Sequence, residues 1–342
     1  MPLSFLNGKR ILMLCADFFD YRNQLAHRLR DAGCTVDLYD ERPSASFLTK
    51  ALIRRGSRLI RPSLRRYYKN IISENKNKAY DCIFVVKGEA LTGEVLALLR
   101  KAYPQAKFVL YLWDSIRNVP GCEERIPLFD RVLTFDPADA EKMHIAFRPM
   151  FYGQDFRCTS PENGKYAYDV SFVGTAHSIR PRTVKAVERF CQKENLRFFY
   201  YLYSPHPLVY WMNKLLNPSY KAVCKRDIHF TPLSGEELLC IYGQSRCVLD
   251  IEHPDQRGVT TRPLEMLKMQ KKVITTSSSI DQMDFYDPRN ILIIGTDAEN
   301  LNRPFIFSDY VPPAEEIIAR YSIDAFLSDV FSDLSFCQKE QR

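Results

Sequence analysis

Residues 247–279, CVLDIEHPDQRGVTTRPLEMLKMQKKVITTSSS, decide the reading of this chain. VLDI and KVITT are short apolar runs rich in β-branched residues, and RPLEMLKMQ between them has helical spacing with its proline where a first helical residue belongs. The pattern predicts a strand, a polar loop, a helix and a second strand. The unusual polar residues crowd into the loop and helix start: His253, Gln256, Arg257, Gly258, Thr260, Thr261 and Arg262. That place is the C-terminal end of a strand, where open α/β sheets bind ligands. The helix that follows offers N–H groups and positive dipole character to an anion. The expected ligand is a phosphate ester.

The run G-V-T-T-R-P-L-E, followed by K-K-V-I-T-T, resembles the donor-site segment of two-domain GT-B glycosyltransferases, in particular the bacterial branch of spore-maturation-type and surface-polysaccharide enzymes. The resemblance is clearest over residues 168–295 and looser before them. It implies an α/β GT-B fold: two Rossmann-like domains with parallel sheets facing an interdomain cleft, the donor on the C-terminal one and the acceptor on the N-terminal one. It also implies that the loop and helix start hold a nucleotide diphosphate and that Glu265 hydrogen-bonds the ribose hydroxyls. Many retaining members carry two glutamates eight residues apart. Here Arg257 stands eight before Glu265, so that arrangement is not implied.

A chain of 342 residues, 46% hydrophobic and 13% aromatic, can bury two substantial cores and is not a disordered protein. Its ten cysteines show no CxxC pair or metal-ligand spacing, and several, such as Cys82, Cys240 and Cys247, lie in apolar runs. With no signal-peptide pattern and no apolar run of transmembrane length, the expected compartment is the cytoplasm. Net charge is +7, and much of the excess lies between Lys50 and Lys69, in Arg54, Arg55, Arg58, Arg61, Arg65 and Arg66. These arginines alternate with Leu52, Ile53, Leu59, Ile60 and Leu64. A basic amphipathic stretch suits the anionic inner face of a plasma membrane; the alternative is a solvated helix face. No zinc pattern or nucleic-acid motif accompanies it, so nucleic acid is not an expected partner.

The chain opens as strand, helix, strand over KRILMLCADFF, YRNQLAHRLRDAGC and TVDLYDE. YDCIFVVKG, KFVLYLWD and DRVLTFD continue the aliphatic strands of a parallel sheet. No GxGxxG follows the first strand. The expected domains are 1–150 and 168–313, joined by a turn-rich linker at 151–167, with one amphipathic helix over 314–335 that GT-B folds pack back on the first domain. Ser234 with Glu237 is a capping-box signature.

Gly174 and Thr175 end the strand DVSFVGT, where a glycine lets phosphate approach and a threonine can donate to it. His253 is a candidate phosphate contact or a backbone-bonded loop residue. Arg262, after a glycine and two threonines, fits bidentate phosphate recognition, or a surface pair with Glu265 or Asp255. Asp17, Glu89 and Asp114 follow strand ends in the first half and are the candidate bases for an acceptor hydroxyl, Asp17 first by position. Lys87 sits in a charged turn that can meet acceptor or donor phosphate, and Trp113 stacks on a sugar or packs in the core. No DxD motif lies at a suitable strand end, so the expectation is a metal-independent reaction with a nucleotide sugar as donor and no cofactor. A nucleotide-sugar epimerase of related fold and a non-enzymatic nucleotide-sugar-binding protein remain alternatives.

Overall fold

The computed structural model describes residues 3–16, 20–44, 46, 49, 52–53, 55–157, 161, 164–254, 257–332 and 334. The chain divides into two compact units, Met1–Gly153 with Tyr321–Arg342, and Gln154–Arg320.

The first unit holds strands β1 (Arg10–Cys15), β2 (Thr35–Tyr39), β3 (Cys82–Val86), β4 (Lys107–Leu112), β5 (Arg131–Thr134) and β6 (Ala146–Phe147). They pair in parallel in the order β2-β1-β3-β4-β5-β6. Parallel neighbours need a crossover, so helices cover the sheet and the inner strands are buried on both faces. That is why RILMLC, CIFVV and KFVLYL read as unbroken apolar runs. The helix Gly93–Ala102 is capped by Thr92, whose hydroxyl accepts from the Val95 amide at 3.2 Å. Chain order reverses between β1 and β3, which opens a crevice at their C-terminal ends.

The second unit holds β7 (Tyr168–Thr175), β8 (Phe198–Tyr203), β9 (Ile228–His229), β10 (Ser245–Asp250), β11 (Lys272–Thr275) and β12 (Ile291–Ile293). Its parallel order, β12-β11-β10-β7-β8-β9, is that of a dinucleotide-binding sheet with the switch point between β7 and β10. The Ser234 capping box is present. Its hydroxyl accepts from the Glu237 amide at 3.2 Å, and its own amide donates to the Glu237 carboxylate at 2.7 Å.

Two sequence expectations are corrected. The helix after β10 runs Thr261–Met269, so Pro263 is its third residue and not its first. The first four helical N–H groups have no intrahelical partner, so a proline there removes no bond. The single helix expected over 314–335 is two, Glu315–Arg320 and Ile323–Phe331. Ser322 between them is extended, and its hydroxyl accepts from the Ala325 amide at 3.2 Å, so a new helix starts there. The helix Ile323–Phe331 belongs to the first unit, where Phe326 packs on Tyr111 and Phe151, each with ring centroids 4.6 Å apart.

Candidate functional site

β7 and β10 lie side by side, and each is followed by a loop and a helix, Arg180–Lys193 after β7 and Thr261–Met269 after β10. Two arginines in the first turns of these helices cross the junction in opposite directions. Arg180 donates from Nε to the Ile251 carbonyl beyond β10 at 3.0 Å, and from Nη1 to the Thr175 carbonyl at 3.3 Å. Arg262 donates from Nη2 to the Val173 carbonyl of β7 at 2.6 Å, from Nε to the Tyr242 hydroxyl at 3.1 Å, and from Nη1 to Asp250 at 3.4 Å. The guanidinium of Arg262 also lies over the Phe172 ring, 5.5 Å from its centroid. Asp250, only 2% exposed, is reached by the Thr260 and Thr275 hydroxyls at 3.4 and 3.3 Å. Within the chain, Arg262 is thus tied to β7, β10 and the helix that carries Tyr242. All three of its guanidinium nitrogens are engaged, and it acts as a brace. Its place at a helix start is visible in sequence; the direction its side chain takes is not.

Arg180, absent from the sequence expectations, is the second cation at this junction. It is half-buried, and its Nη2 has no partner among the described residues. Burial and then the Arg262 charge beside it lower its pKa to about 10, so it stays cationic at neutral pH, with no ion pair among the described residues. A side chain at Gly174 would place its Cβ 2.9 Å from the Phe172 ring and 3.4 Å from Arg180 Nη1, so the ring would have to shift to admit one. The signal in the sequence was a repeated pair, Arg180-Pro181 and Arg262-Pro263, each opening a helix after a strand.

The helix starts themselves suit an anion. Neither Ile179 nor Thr260, the residues before the two helices, caps its helix with a side chain, so the first-turn N–H groups are not taken that way. His177 and His253, one on each loop, have ring centroids 5.9 Å apart. Thr175, Thr260 and Thr261 are half-buried, and Gly258 is buried. Glu265 is 6% exposed, on the covered side of its helix. Gln256 lies outside the described residues; the others selected from sequence in this half sit on the two loops and helix starts of one strand junction.

In the first unit Asp17 lies outside the described residues. Glu89 is buried after β3, with its carboxylate 3.0 Å from Lys87 Nζ and 3.7 Å from Arg42 Nη1. Lys87 Nζ is also 3.8 Å from Asp114, and Lys87 holds φ at 83°, a left-handed conformation that costs a non-glycine residue of order 1–3 kcal/mol. Asp114 accepts from the Ser115 amide at 3.0 Å and from Asn118 Nδ2 at 2.8 Å. Lys87, Glu89 and Asp114 are therefore gathered at the ends of β3 and β4. Trp113 is half-buried among Tyr21, Tyr111 and Phe151, with centroids 5.5, 5.9 and 5.7 Å away.

Glu41, just past β2, was missed. It is wholly buried, and neither carboxylate oxygen has a hydrogen-bond partner among the described residues. Burial, reinforced by the neighbouring Glu89 charge, pushes its pKa up to about 8, so it is protonated at neutral pH. In the sequence it stands in YDERPS, indistinguishable from an ordinary polar strand end.

The basic stretch departs from expectation. Arg54 lies outside the described residues; Arg55, Arg58, Arg61, Arg65 and Arg66 are exposed. Ile53, Ile60 and Leu64, however, are in the core, and only Leu59 remains exposed. Arg65 pairs with Glu94 at 2.9 Å, and Arg61, Arg65, Arg66 and Lys69 line a shallow cavity with that glutamate. The face is cationic but has lost most of its apolar partners. Among the described residues no cluster of three or more His, Cys, Asp or Glu side chains could hold a metal, and no helix is long and apolar enough to cross a membrane.

No family model matches the chain, and no curated protein matches it. Solved structures do. HepE of Anabaena in complex with UDP-glucose superposes with a TM-score of 0.61 at 13% identity, over 95% of this chain and 100% of that one. The lipopolysaccharide outer core galactosyltransferase WaaB gives 0.55 at 12% identity, over 95% and 100%. A putative UDP-N-acetylglucosamine 2-epimerase from Listeria monocytogenes gives 0.51 at 12%, over 98% and 99%. With two parallel six-stranded sheets and these neighbours, the chain has the GT-B fold.

Proposed function

We propose that this protein is a glycosyltransferase that moves a sugar from a nucleoside-diphosphate sugar to a hydroxyl of a glycan or lipid-linked saccharide in bacterial surface-polysaccharide assembly. The carrying observation is the β7/β10 junction, where two helix starts without side-chain caps flank the open nitrogen of Arg180. The diphosphate would lie there, with Thr175, Thr260, Thr261 and His253 around it and Glu265 towards the ribose. As the bond between the anomeric carbon and phosphate oxygen breaks, negative charge grows on the departing diphosphate, and fixed donors stabilise it without a metal. The acceptor hydroxyl gives its proton to a carboxylate of the first unit; Asp17, Glu89 and Asp114 are the candidates, and Lys87 and Trp113 are candidate acceptor contacts. Neighbours described with UDP or UDP-glucose support the donor class.

Arg180→Met is expected to weaken binding of UDP or another matching nucleoside diphosphate about 10- to 100-fold, the 1.5–3 kcal/mol of a charged hydrogen bond, and Arg180→Lys to recover part of it. Calorimetric titration of folded protein measures this, and unchanged affinity in both variants would remove Arg180 from the site. Glu89→Gln should cut turnover about 100-fold or more with donor binding retained. If normal turnover persists in that variant and falls in Asp114→Asn or Asp17→Asn, the base lies there. Release of epimerised sugar nucleotide without acceptor would move the assignment to the epimerase class.

A further inference from the structure

The helix Pro207–Leu216 in the second unit turns the wrong face outward. Leu208, Trp211, Met212, Leu215 and Leu216 are 69%, 56%, 51%, 86% and 73% exposed, so large apolar side chains recur at i, i+3, i+4, i+7 and i+8 on the solvent side. The inward side is firmly held. Tyr210 is buried; Asn213 donates to the buried Tyr220 hydroxyl at 3.3 Å; Lys214 Nζ donates to the Tyr220 carbonyl at 2.7 Å and also to that of Val223; and Asn217 Nδ2 donates to the Ser178 carbonyl at 2.9 Å. The His206 ring nitrogen accepts from the Leu208 amide at 3.1 Å and fixes the helix start. The stripe is therefore presented by a fastened helix.

The surrounding charge says what covers it. No Asp or Glu occurs between Glu194 and Asp227, and Asp227 is buried and bonded to Tyr200, Lys185 and Cys224. Lys221, Lys225 and Arg226, in the turns that follow the helix, are exposed and make no ion pair among the described residues. A ridge of leucine, methionine and tryptophan followed in the chain by lysine and arginine, with no acid in that stretch except the buried Asp227, is the composition of a helix that lies in an anionic membrane interface. The helix has ten residues, about 15 Å long against a hydrocarbon core of about 30 Å, so it can lie in the interface and cannot span.

We infer that the Pro207–Leu216 helix is a membrane-docking element that buries its apolar stripe in the surface of an anionic bilayer, with Lys221, Lys225 and Arg226 over the headgroups. The inference does not rest on the sugar-transfer reading. It places the lipid contact on a different element from the basic stretch of the first unit, whose aliphatic residues are in the core.

The test is cosedimentation of the full chain with vesicles of phosphatidylcholine alone or mixed with phosphatidylglycerol. Binding to the mixed vesicles is expected, at least tenfold weaker for Leu215→Glu with Leu216→Glu and for Lys221→Glu with Lys225→Glu and Arg226→Glu. These side chains are exposed, so the variants should fold, and circular dichroism checks it. The chain has two tryptophans, so in a Trp113→Phe background the emission of Trp211 should shift to the blue on binding. Absence of binding to anionic vesicles, or binding that the leucine substitutions leave unchanged, overturns the inference. So does a concentration-dependent dimer that Leu215→Glu dissociates, because a second copy would then be what covers the stripe.

Discussion

Glu41→Gln is expected to reverse its effect on stability between pH 5 and pH 8. The folded carboxyl titrates at about 8 against an ordinary 4.5, because burial and then the Glu89 charge disfavour the anion, with Lys87 and Arg42 only partly opposing them. A group whose folded pKa is raised contributes its stability fully below the unfolded pKa and loses it as pH rises through the folded one. Between about pH 4.5 and 8 the folded state holds the proton that the unfolded chain has released, so unfolding free energy falls by about 1.4 kcal/mol for each pH unit, about 5 kcal/mol across the window. Glutamine cannot ionise, but its buried amide lacks partners and costs of order 1–3 kcal/mol at every pH. The variant should thus be equal to or less stable than the parent at pH 5 and more stable at pH 8. Urea midpoints at several pH values measure the difference, in which the other titrating groups largely cancel. Parallel pH profiles for the two proteins would refute a protonated Glu41.

Removing one partner of the Asp250–Arg262 pair should cost about 3–5 kcal/mol, because the remaining charge stays buried without its counterpart. Asp250 is 2% exposed, and Arg262 spends its three nitrogens on Asp250, Tyr242 and Val173. Asp250→Ala and Arg262→Ala should each lower the urea midpoint of the second unit, and the double variant should lose less than the sum, since it strands no charge. Nucleotide affinity measured on the folded fraction should fall less in Arg262→Ala than in Arg180→Met. If Arg262→Ala keeps full stability and loses nucleotide binding, Arg262 contacts phosphate directly and the brace reading fails.

What the sequence discloses and conceals follows from how each feature is encoded. VLDI and KVITT are legible because a strand buried on both faces needs consecutive aliphatics, and these runs are short and rich in β-branched residues, which sets them apart from a buried helix. The polar crowd at 253–265 is legible because an apolar helix leaves little reason for so many donors at its start. The inward turn of Arg262 depends on a carbonyl 89 positions away, which no local window contains. Glu41 looks like any polar strand end until the chain closes over it. The phase of Pro263 fails for a milder reason: proline is tolerated throughout the first turn, so it marks a helix start only to within a few residues. PLVYWMNKLL is apolar on two sides, and only the fold says that Tyr210 faces in while Trp211 and Leu215 face out.

The crossed arginines bear on how this protein can change over generations. Their ties to the neighbouring strand end on the main-chain oxygens of Val173 and Ile251, and Arg180 is also tied to that of Thr175. A carbonyl is present whatever residue carries it. Side chains at those positions can be exchanged, within the limits of packing, without loosening either guanidinium. The base of the junction is thus insulated from drift in the loops above it, and a lineage can vary those loops while inheriting the same cationic floor.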